Sequence, residues 1–261
     1  MAKISKEEIA RRSGMLFACE ILKKQGIEGL QKELEYREET HTPICLTREE
    51  AERYIQGPKH RSTDTIMVLA MVTLLDEFGM KTKRLEKFRT VYEQKAEEYL
   101  EKPYTELKGN LEEVKNKVGE IGGLGMIPER VKENPLEEIR RDGMKYVWNL
   151  ARTKGIKAAE EELTSRGIRR ERIKVSKPEV SNFVKQVQTT VIDLVFGITI
   201  LAIRETFRFG IERMERFFNR FWLKAECVEG GLVTWEEQNS ILEDEVKINV
   251  DIRYLEGEEV A

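Results

Sequence analysis

The chain has 261 residues and a formal net charge of −3, and 36% of its residues are charged. This length suits one large or two ordinary domains, and the charged fraction exceeds the roughly 25% of typical globular chains, which favours long solvated helices. The near balance of acidic and basic residues argues against a strongly basic nucleic-acid-binding module.

The sequence carries no evident targeting or membrane-spanning signal. Residues 1–12 lack the apolar region of a secretory signal. The longest apolar run, 191–203, contains Asp193 and is shorter than the roughly 18 to 20 residues that a spanning helix needs. We therefore expect a cytoplasmic protein with no membrane span.

No constellation of residues points to catalysis. Cys19, Cys45 and Cys227 are far apart and lack CxxC spacing, so neither a disulfide framework nor a zinc site is expected. His41 and His60 show no metal-ligand spacing and no acidic partner at a suitable distance in sequence. We expect no catalytic residue, no metal and no cofactor.

Two halves of the chain align without a gap at an offset of 129 residues, most clearly 11–37 over 140–166. The first-half residues that meet an identical residue include Gly14, Met15, Gly26, Ile27, Glu33, Leu34 and Arg37. Internal similarity of this kind predicts a tandem duplication. We expect two helical units, 1–118 and 136–261, joined by a linker, 119–135, whose glycines and two prolines interrupt the helical pattern.

Each unit is expected to contain the same elements in the same order. A first helix ends at Gly26 or Gly155, and a short helix and a brief extended segment follow. A capped helix comes next, then a long apolar helix, 64–78 or 193–207, and finally a helix of charged and aromatic residues.

Four capping boxes mark helix starts, because an N-cap oxygen accepts from a backbone N–H and a Glu three residues later reciprocates. They are Ser5 with Glu8, Thr47 with Glu50, Ser176 with Glu179, and Thr234 with Glu237. Asp64 and Asp193 stand at equivalent places where the apolar helices begin. We interpret both as first-turn residues that favour the positive end of the helix.

The second unit is expected to end in a helix from about Trp235 and a strand. Residues 246–255 alternate apolar and polar side chains, which predicts a strand that pairs with the extended segment near Ile173. The fold class is therefore mainly α, with two tandemly duplicated helical units that each hold at most a small two- or three-stranded β element.

The stretch 211–227 combines aromatic and arginine side chains. Met214, Phe217 and Phe221 recur at the spacing of one buried helical face, so we interpret them as core residues. A second stripe consists of Arg213, Arg216 and Arg220, with glutamates between them. Such a stripe is either a solvated, ion-paired face or a contact for phosphates.

Other candidate contact residues belong to the second half. Trp222 and Trp235 are not matched in the first half and are either core residues or anchors for a partner. A basic run consists of Arg166, Arg169, Arg170 and Arg172. This run is either a solvated loop or a contact for an anionic partner, and with the arginine stripe and the tryptophans it forms the candidate binding surface.

The second half, "RFGIERMERFFNRFWLKAECVEGGLVTWEEQNSILEDEV", resembles small uncharacterised proteins from phages and prophages of Gram-positive bacteria. The similar features are a Phe-Gly turn, an arginine-rich aromatic helix, the "KAEC" step and a Thr-Trp helix, and the first half retains "DEFGM" and "KRLEKF". Those proteins are usually one unit long. The resemblance implies a phage or prophage origin and expression inside a bacterium, and it transfers no catalytic residue.

From these features we expect a non-enzymatic phage-encoded protein that binds a host or phage protein, as an inhibitor of bacterial defence or a modulator of replication. The alternative is a nucleic-acid-binding accessory protein of phage replication. In that alternative the phosphate contacts are Arg169, Arg170, Arg213, Arg216 and Arg220.

Overall fold

The computed structural model describes residues 4–119, 135–168 and 177–253. Over these ranges the fold is mainly α, as predicted, with nine helices and no strand. The helices are α1 (Lys6–Thr40), α2 (Arg48–Phe78), α3 (Thr82–Leu100), α4 (Tyr104–Gly119), α5 (Pro135–Lys154), α6 (Ile156–Ser165), α7 (Lys177–Phe207), α8 (Ile211–Glu229) and α9 (Trp235–Val246). The predicted linker, apart from its end residues, and the extended segment near Ile173 lie outside the described residues.

The chain divides into two compact units, and each unit takes a segment from each half of the sequence. Unit 1 comprises Met1–Arg53 and Arg130–Gln186, and unit 2 comprises Tyr54–Glu129 and Val187–Ala261. The compact units therefore do not follow the predicted division into consecutive halves. Within each unit, helices from both halves bury their apolar faces on one another. The similarity between the two halves of the sequence does not reveal this arrangement.

Glycine interrupts the first helix of each half at the predicted place. Gly26 lies inside α1 with a φ of 72°, and Gly155 separates α5 from α6 with a φ of 90°. Residues with a Cβ atom rarely adopt such positive angles. These two glycines therefore fix where the helical path is broken.

In unit 1, α1 packs against α5 through two more glycines. A Cβ atom on Gly14 would collide with the backbone carbonyl of Arg140, and one on Gly143 would collide with that of Arg11. The two helix backbones can approach this closely because both positions lack a side chain. The surrounding core includes Met15, Ala18, Leu22, Met144, Val147 and Ala151.

Helices α2 and α7 are each 31 residues long and join what the sequence suggested were a capped helix and a separate apolar helix. Pro58 lies within α2. Asp64 and Asp193 lie well inside the helices and are buried, so their predicted place in a first helical turn is wrong. The error arose because the more polar residues before each apolar run continue the same helix.

In unit 2, α3 and α8 bury the faces that the sequence predicted. The buried residues include Leu85, Phe88 and Tyr92 on α3 and Met214, Phe217 and Phe221 on α8. Gly197 of α7 lies against Val114 of α4, and a Cβ atom on Gly197 would collide with the Val114 side chain. This glycine allows α4 to lie close to the apolar helix.

Two of the predicted capping boxes are present in full. Thr47 and Glu50 exchange hydrogen bonds of 2.8 and 3.2 Å, and Thr234 and Glu237 exchange bonds of 2.8 and 3.1 Å. Ser5 accepts from the backbone of the residue three positions on, at 3.1 Å, but the reciprocal bond is not among those of the described residues. Ser176 lies outside the described residues.

The C-terminal strap, residues 247–253, has no regular secondary structure and is not the predicted strand. The alternation is real, since Ile248 and Val250 are buried. However, the side chain of Asn239 accepts from the Val250 N–H at 3.1 Å and donates to the Val250 carbonyl at 2.8 Å. A helix side chain thus takes the place of a neighbouring strand.

Helix α7 contains the one segment of the described residues that is long and apolar enough to cross a membrane by length and composition, Pro178–Phe207. In its most apolar window, 67% of the segment is buried inside the protein. Core helices of water-soluble proteins share this pattern.

Candidate functional site

The arginine stripe of α8 is exposed, but two of its three members are ion-paired within unit 2. Arg216 pairs with one carboxylate oxygen of Glu77, and the Nε atom of Arg220 lies 3.1 Å from the other. The hydrogen bond from Arg216 is the main cause of a lowered pKa at Glu77. A single carboxylate near the end of α2 therefore offsets part of the positive charge of the stripe.

The remaining cations on this side of α8 also have neighbours. Lys224 places its Nζ atom 2.5 Å from a carboxylate oxygen of Asp76. The guanidinium of Arg213 lies over the Phe209 ring, 5.9 Å from its centroid, at the outer limit of a cation–π contact. Of the three stripe arginines, Arg213 has no ion pair with a described residue.

Only part of the predicted basic run can be placed. Arg166 is exposed, forms an ion pair of 2.7 Å with Glu162, and donates to the Tyr146 hydroxyl at 3.0 Å. Arg169, Arg170 and Arg172 lie outside the described residues.

Both predicted tryptophan anchors are half-buried in unit 2. The Trp222 ring lies 5.2 Å from the Phe196 ring and 5.5 Å from the Phe221 ring, measured between centroids. Its Nε1 atom is buried and has no hydrogen-bond partner. Trp235 is the first residue of α9. Trp222 thus combines a core contact with an unsatisfied donor.

Two large apolar side chains are exposed near the end of α8, and with the half-buried Cys227 they form what we call the apolar strip, Leu223, Cys227 and Leu232. Leu223 is 50% exposed and Leu232 is 78% exposed. Leu223 and Cys227 are four residues apart on one helix face, and the Leu232 N–H donates to the Cys227 carbonyl at 2.9 Å. Gly231, with a φ of 69°, makes this turn possible.

A polar cleft of about 680 Å³ in unit 2 was not foreseen from the sequence. Residues of α2, α3 and the C-terminal strap line it, including Asp64, Arg89, Tyr92, Glu93 and Arg253. Asp64 is 4% exposed and accepts two guanidinium hydrogen bonds of 2.8 Å from Arg253. It also accepts from the Arg253 backbone N–H at 3.0 Å. Asp64 therefore recognises both the side chain and the main chain of an arginine.

Asp193, 129 residues after Asp64, has a different environment. It is 7% exposed and makes no hydrogen bond or ion pair with any described residue. Burial raises the pKa of its carboxyl to about 6, although the charge of Lys115 acts in the opposite direction. The sequence shows an Asp at the matching place in each apolar run. The interpretation of both as helix-start residues did not predict that they are buried.

Unit 1 holds a buried arginine that the sequence marked only as an identical residue in both halves. Arg37 is 1% exposed and bonds with its Nε atom to Glu33 at 2.8 Å. Its other nitrogen atoms donate to the carbonyls of Thr42 at 3.1 Å and Leu46 at 3.0 Å. This arginine therefore holds the loop after α1, which indicates a structural role.

A second ionic cluster in unit 1 joins Arg140 to Glu137 and Glu179. The distance from Arg140 to Glu179 is 2.8 Å, and all three side chains are largely buried. Burial is the main cause of a raised pKa at Glu137. Nearby, burial raises the pKa of the Cys45 thiol to about 11, which disfavours the reactive thiolate form.

Among the described residues, no group of three or more His, Cys, Asp or Glu side chains is placed to hold a metal ion. A scan against protein-family models and searches of curated proteins and of solved structures found no match.

Proposed function

We propose that this chain is a non-enzymatic, phage- or prophage-encoded protein that binds a host or phage protein in the cytoplasm of a bacterium. Inhibition of a bacterial defence system and modulation of replication are the roles that such binding would serve. The apolar strip carries the protein-binding part of this proposal. The phage origin and the bacterial location rest on the sequence resemblance.

The apolar strip supports a protein contact because it exposes large apolar side chains that a monomer gains nothing by exposing. Leu223 and Leu232 lie on either side of Cys227, and the half-buried Trp222 directly precedes Leu223. Clustered exposed apolar groups mark interaction surfaces, and tryptophan is enriched among residues that dominate binding energy.

We also propose that the chain is a tandem duplication. Helices α2 and α7 have equal lengths, as do α3 and α8, and the first residues of each pair are 129 positions apart. Gly14 and Gly143, which the alignment pairs, make reciprocal contacts in unit 1. A duplicated chain presents two related sets of surfaces, so one partner bound at two places gains from effective concentration.

The test is capture of a partner from bacterial lysates, with and without phage infection, by the full chain carrying a photo-crosslinker at Val233, the residue that directly follows Leu232 of the apolar strip. We expect one bacterial or phage protein to be enriched, and the charge introduced by Leu232→Glu to abolish its capture. Ile9→Glu is the matched control, because Ile9 is 51% exposed on α1 in unit 1 and should leave capture intact. Equal loss in both variants, or no partner in stringent captures from several hosts, contradicts the proposal.

A second candidate function, an accessory nucleic-acid-binding role in phage replication, is favoured by the exposed arginine stripe of α8. The two ion pairs to Glu77 weigh against it, because phosphate binding depends on cations that can release counterions. A mobility shift whose affinity falls steeply with salt and is lost in Arg213→Gln/Arg216→Gln/Arg220→Gln would support this role. No shift at low salt would remove it.

A further inference from the structure

A side chain of α9 bonds to the backbone of the C-terminal strap. Asn239 accepts a hydrogen bond from the Val250 N–H at 3.1 Å and donates one to the Val250 carbonyl at 2.8 Å. A primary amide can satisfy both backbone groups of one residue because it carries an acceptor oxygen and a donor nitrogen. The side chains of Ile248 and Val250 are buried. The strap is therefore held by its backbone at Val250 and by apolar burial at two positions.

Side chains of α2 and α3 also bond to the strap. Asp64 accepts from the Arg253 N–H at 3.0 Å and from its guanidinium at 2.8 Å, and Arg89 donates to the Asn249 carbonyl at 3.3 Å. Beyond Ile248, the strap makes no backbone-to-backbone hydrogen bond with a described residue. Helix side chains thus hold the strap as a protein holds a bound peptide. We call the surface formed by Asp64, Arg89 and Asn239 the strap groove.

The ion pair between Asp64 and Arg253 makes the strap groove selective. The Asp64 side chain is 6% exposed, whereas the Arg253 side chain is 50% exposed. Loss of the arginine would leave a buried carboxylate without a cation, which is strongly unfavourable. A segment that replaces the strap must therefore bring its own arginine, whose planar guanidinium can bond to both carboxylate oxygens as that of Arg253 does.

Room for a competing segment remains beside the strap. The polar cleft of about 680 Å³ is open while the strap is bound, and Val250, Asp251 and Arg253 form part of its lining. Because Arg253 is half exposed, a second segment can enter the cleft before the strap leaves. The described lining of the cleft holds five carboxylates and three Lys or Arg side chains. This excess of negative charge favours a cationic segment over the phosphates of a nucleic acid.

We propose that the strap groove binds an arginine-bearing segment of a partner protein with the pattern Ile-x-Val-x-x-Arg of residues 248–253, and that the strap is an internal ligand which this segment displaces. This inference rests on the proposed protein-binding function and specifies the chemistry of the partner. The bound strap lowers the apparent affinity for a partner, because only chains whose strap has left the groove can bind it. Binding of the partner is thereby coupled to release of the strap.

The experiment uses the full chain and the synthetic peptide acetyl-INVDIR-amide, which copies residues 248–253. Titration calorimetry of the wild-type protein should show one weak, saturable site. Arg253→Gln loosens the chain's own strap and should tighten peptide binding about tenfold or more, because a larger fraction of the grooves is open. A peptide with citrulline in place of arginine should bind to this variant about 30-fold more weakly, as expected when one partner of a buried charge pair is lost.

Matched variants locate the bound peptide. Asp64→Asn, added to the Arg253→Gln chain, should remove the gain in affinity. Arg166→Gln also removes an exposed, ion-paired arginine, but in unit 1, and should leave peptide binding at the wild-type level. Circular dichroism and thermal melts establish that each variant is folded. If Arg253→Gln binds the peptide no more tightly than the wild type, the strap does not compete for the groove and the proposal is overturned.

Amide hydrogen exchange in the wild-type chain tests displacement without any substitution. The Val250 N–H is bonded to Asn239 while the strap is in place, so saturating peptide should speed its exchange with solvent. NMR of isotope-labelled protein with unlabelled peptide measures this one amide. Unchanged exchange at saturation would mean that the peptide binds elsewhere, which also overturns the proposal.

Failure of this inference is distinguishable from failure of the proposed function. If neither the wild type nor Arg253→Gln shows saturable peptide binding, the strap groove is refuted as a binding site, whatever the lysate captures show. A partner whose capture depends on Leu232 would then still support protein binding through the apolar strip. Conversely, peptide binding that depends on Asp64 would uphold the groove even if no partner were captured through the apolar strip.

Discussion

Gly14 and Gly143 lie at one helix crossing in unit 1, and each leaves space that a backbone carbonyl of the other helix occupies. A side chain at either position would force α1 and α5 apart and loosen the core around Met15 and Val147. This contact therefore depends on two positions that are identical in the two halves of the sequence.

The first prediction is that Gly14→Ala and Gly143→Ala each destabilise the protein by about 1 to 3 kcal/mol, the usual cost of overpacking. Gly109→Ala is the matched control, because Gly109 lies in α4 with no atom within 4 Å of an added Cβ. That change should stabilise the chain by roughly 0.5 to 1 kcal/mol through helix propensity. Urea denaturation measures all three. Destabilisation by Gly109→Ala equal to that by Gly14→Ala would contradict this account.

The second prediction concerns the α8 face. Phe217 is fully buried and contacts Phe218 and Phe221, so Phe217→Ala should cost about 3 to 5 kcal/mol by leaving a cavity. Arg216→Gln removes an exposed ion pair and should cost only a small fraction of that, because solvent screens such pairs. If thermal or chemical denaturation shows that Arg216→Gln and Phe217→Ala lose equal amounts of unfolding free energy, Arg216 has a structural role.

The third prediction compares two arginines that the alignment pairs. Arg37→Met should cost about 3 to 5 kcal/mol, since it leaves Glu33 and the carbonyls of Thr42 and Leu46 without their buried donor. Arg166→Met should have little effect, because Arg166 is exposed and its ion pair is solvated. Chemical denaturation of the two variants, measured side by side, gives the loss of unfolding free energy for each. Similar losses would contradict the expectation that the exposed Arg166 matters less to stability than the buried Arg37.

The fourth prediction is a pH dependence at Asp193. Its folded-state pKa is raised to about 6 from an ordinary 3.8, so the folded protein binds the proton more tightly than the unfolded chain. Stability contributed by the protonated form is therefore present below about pH 4 and is lost as pH rises through 6, by up to roughly 3 kcal/mol.

Asp193→Asn should accordingly stabilise the protein at pH 7.5 and have little effect at pH 4, as measured by urea denaturation at both values. Asp64→Asn should instead destabilise the protein at pH 7.5, because it weakens the bonds to Arg253. If Asp193→Asn has the same effect at both pH values, the carboxyl does not titrate in this range.

Local features were predictable from sequence where the cause is local. The breaks at Gly26 and Gly155 and the buried face of Met214, Phe217 and Phe221 follow from backbone preference and helical spacing. The strand predicted for the C-terminus was wrong. The alternation of apolar and polar residues reflects which side chains are buried, and the backbone N–H and carbonyl of Val250 bond to the Asn239 side chain rather than to a neighbouring strand.

The candidate site was less predictable than the helices. Trp222 was recognised as a possible anchor, but its unsatisfied Nε1 atom depends on packing against Phe196 and Phe221. The sequence shows Asp193 within an apolar run, but nothing in a linear sequence shows how far a helix extends before such a run, so the burial of Asp193 in mid-helix was not predictable. The pairing of Asp64 with Arg253 joins residues 189 positions apart, which spacing arguments do not reach.

The division of each half between two compact units affects how the chain can fold during synthesis. When α1 leaves the ribosome, the helix that covers its glycine face has not yet been made, because α5 begins at Pro135. Neither unit can be completed until the second half emerges, so a nascent first half leaves apolar surface exposed until then. For the same reason, the first half produced alone lacks the segments of the second half that complete each unit.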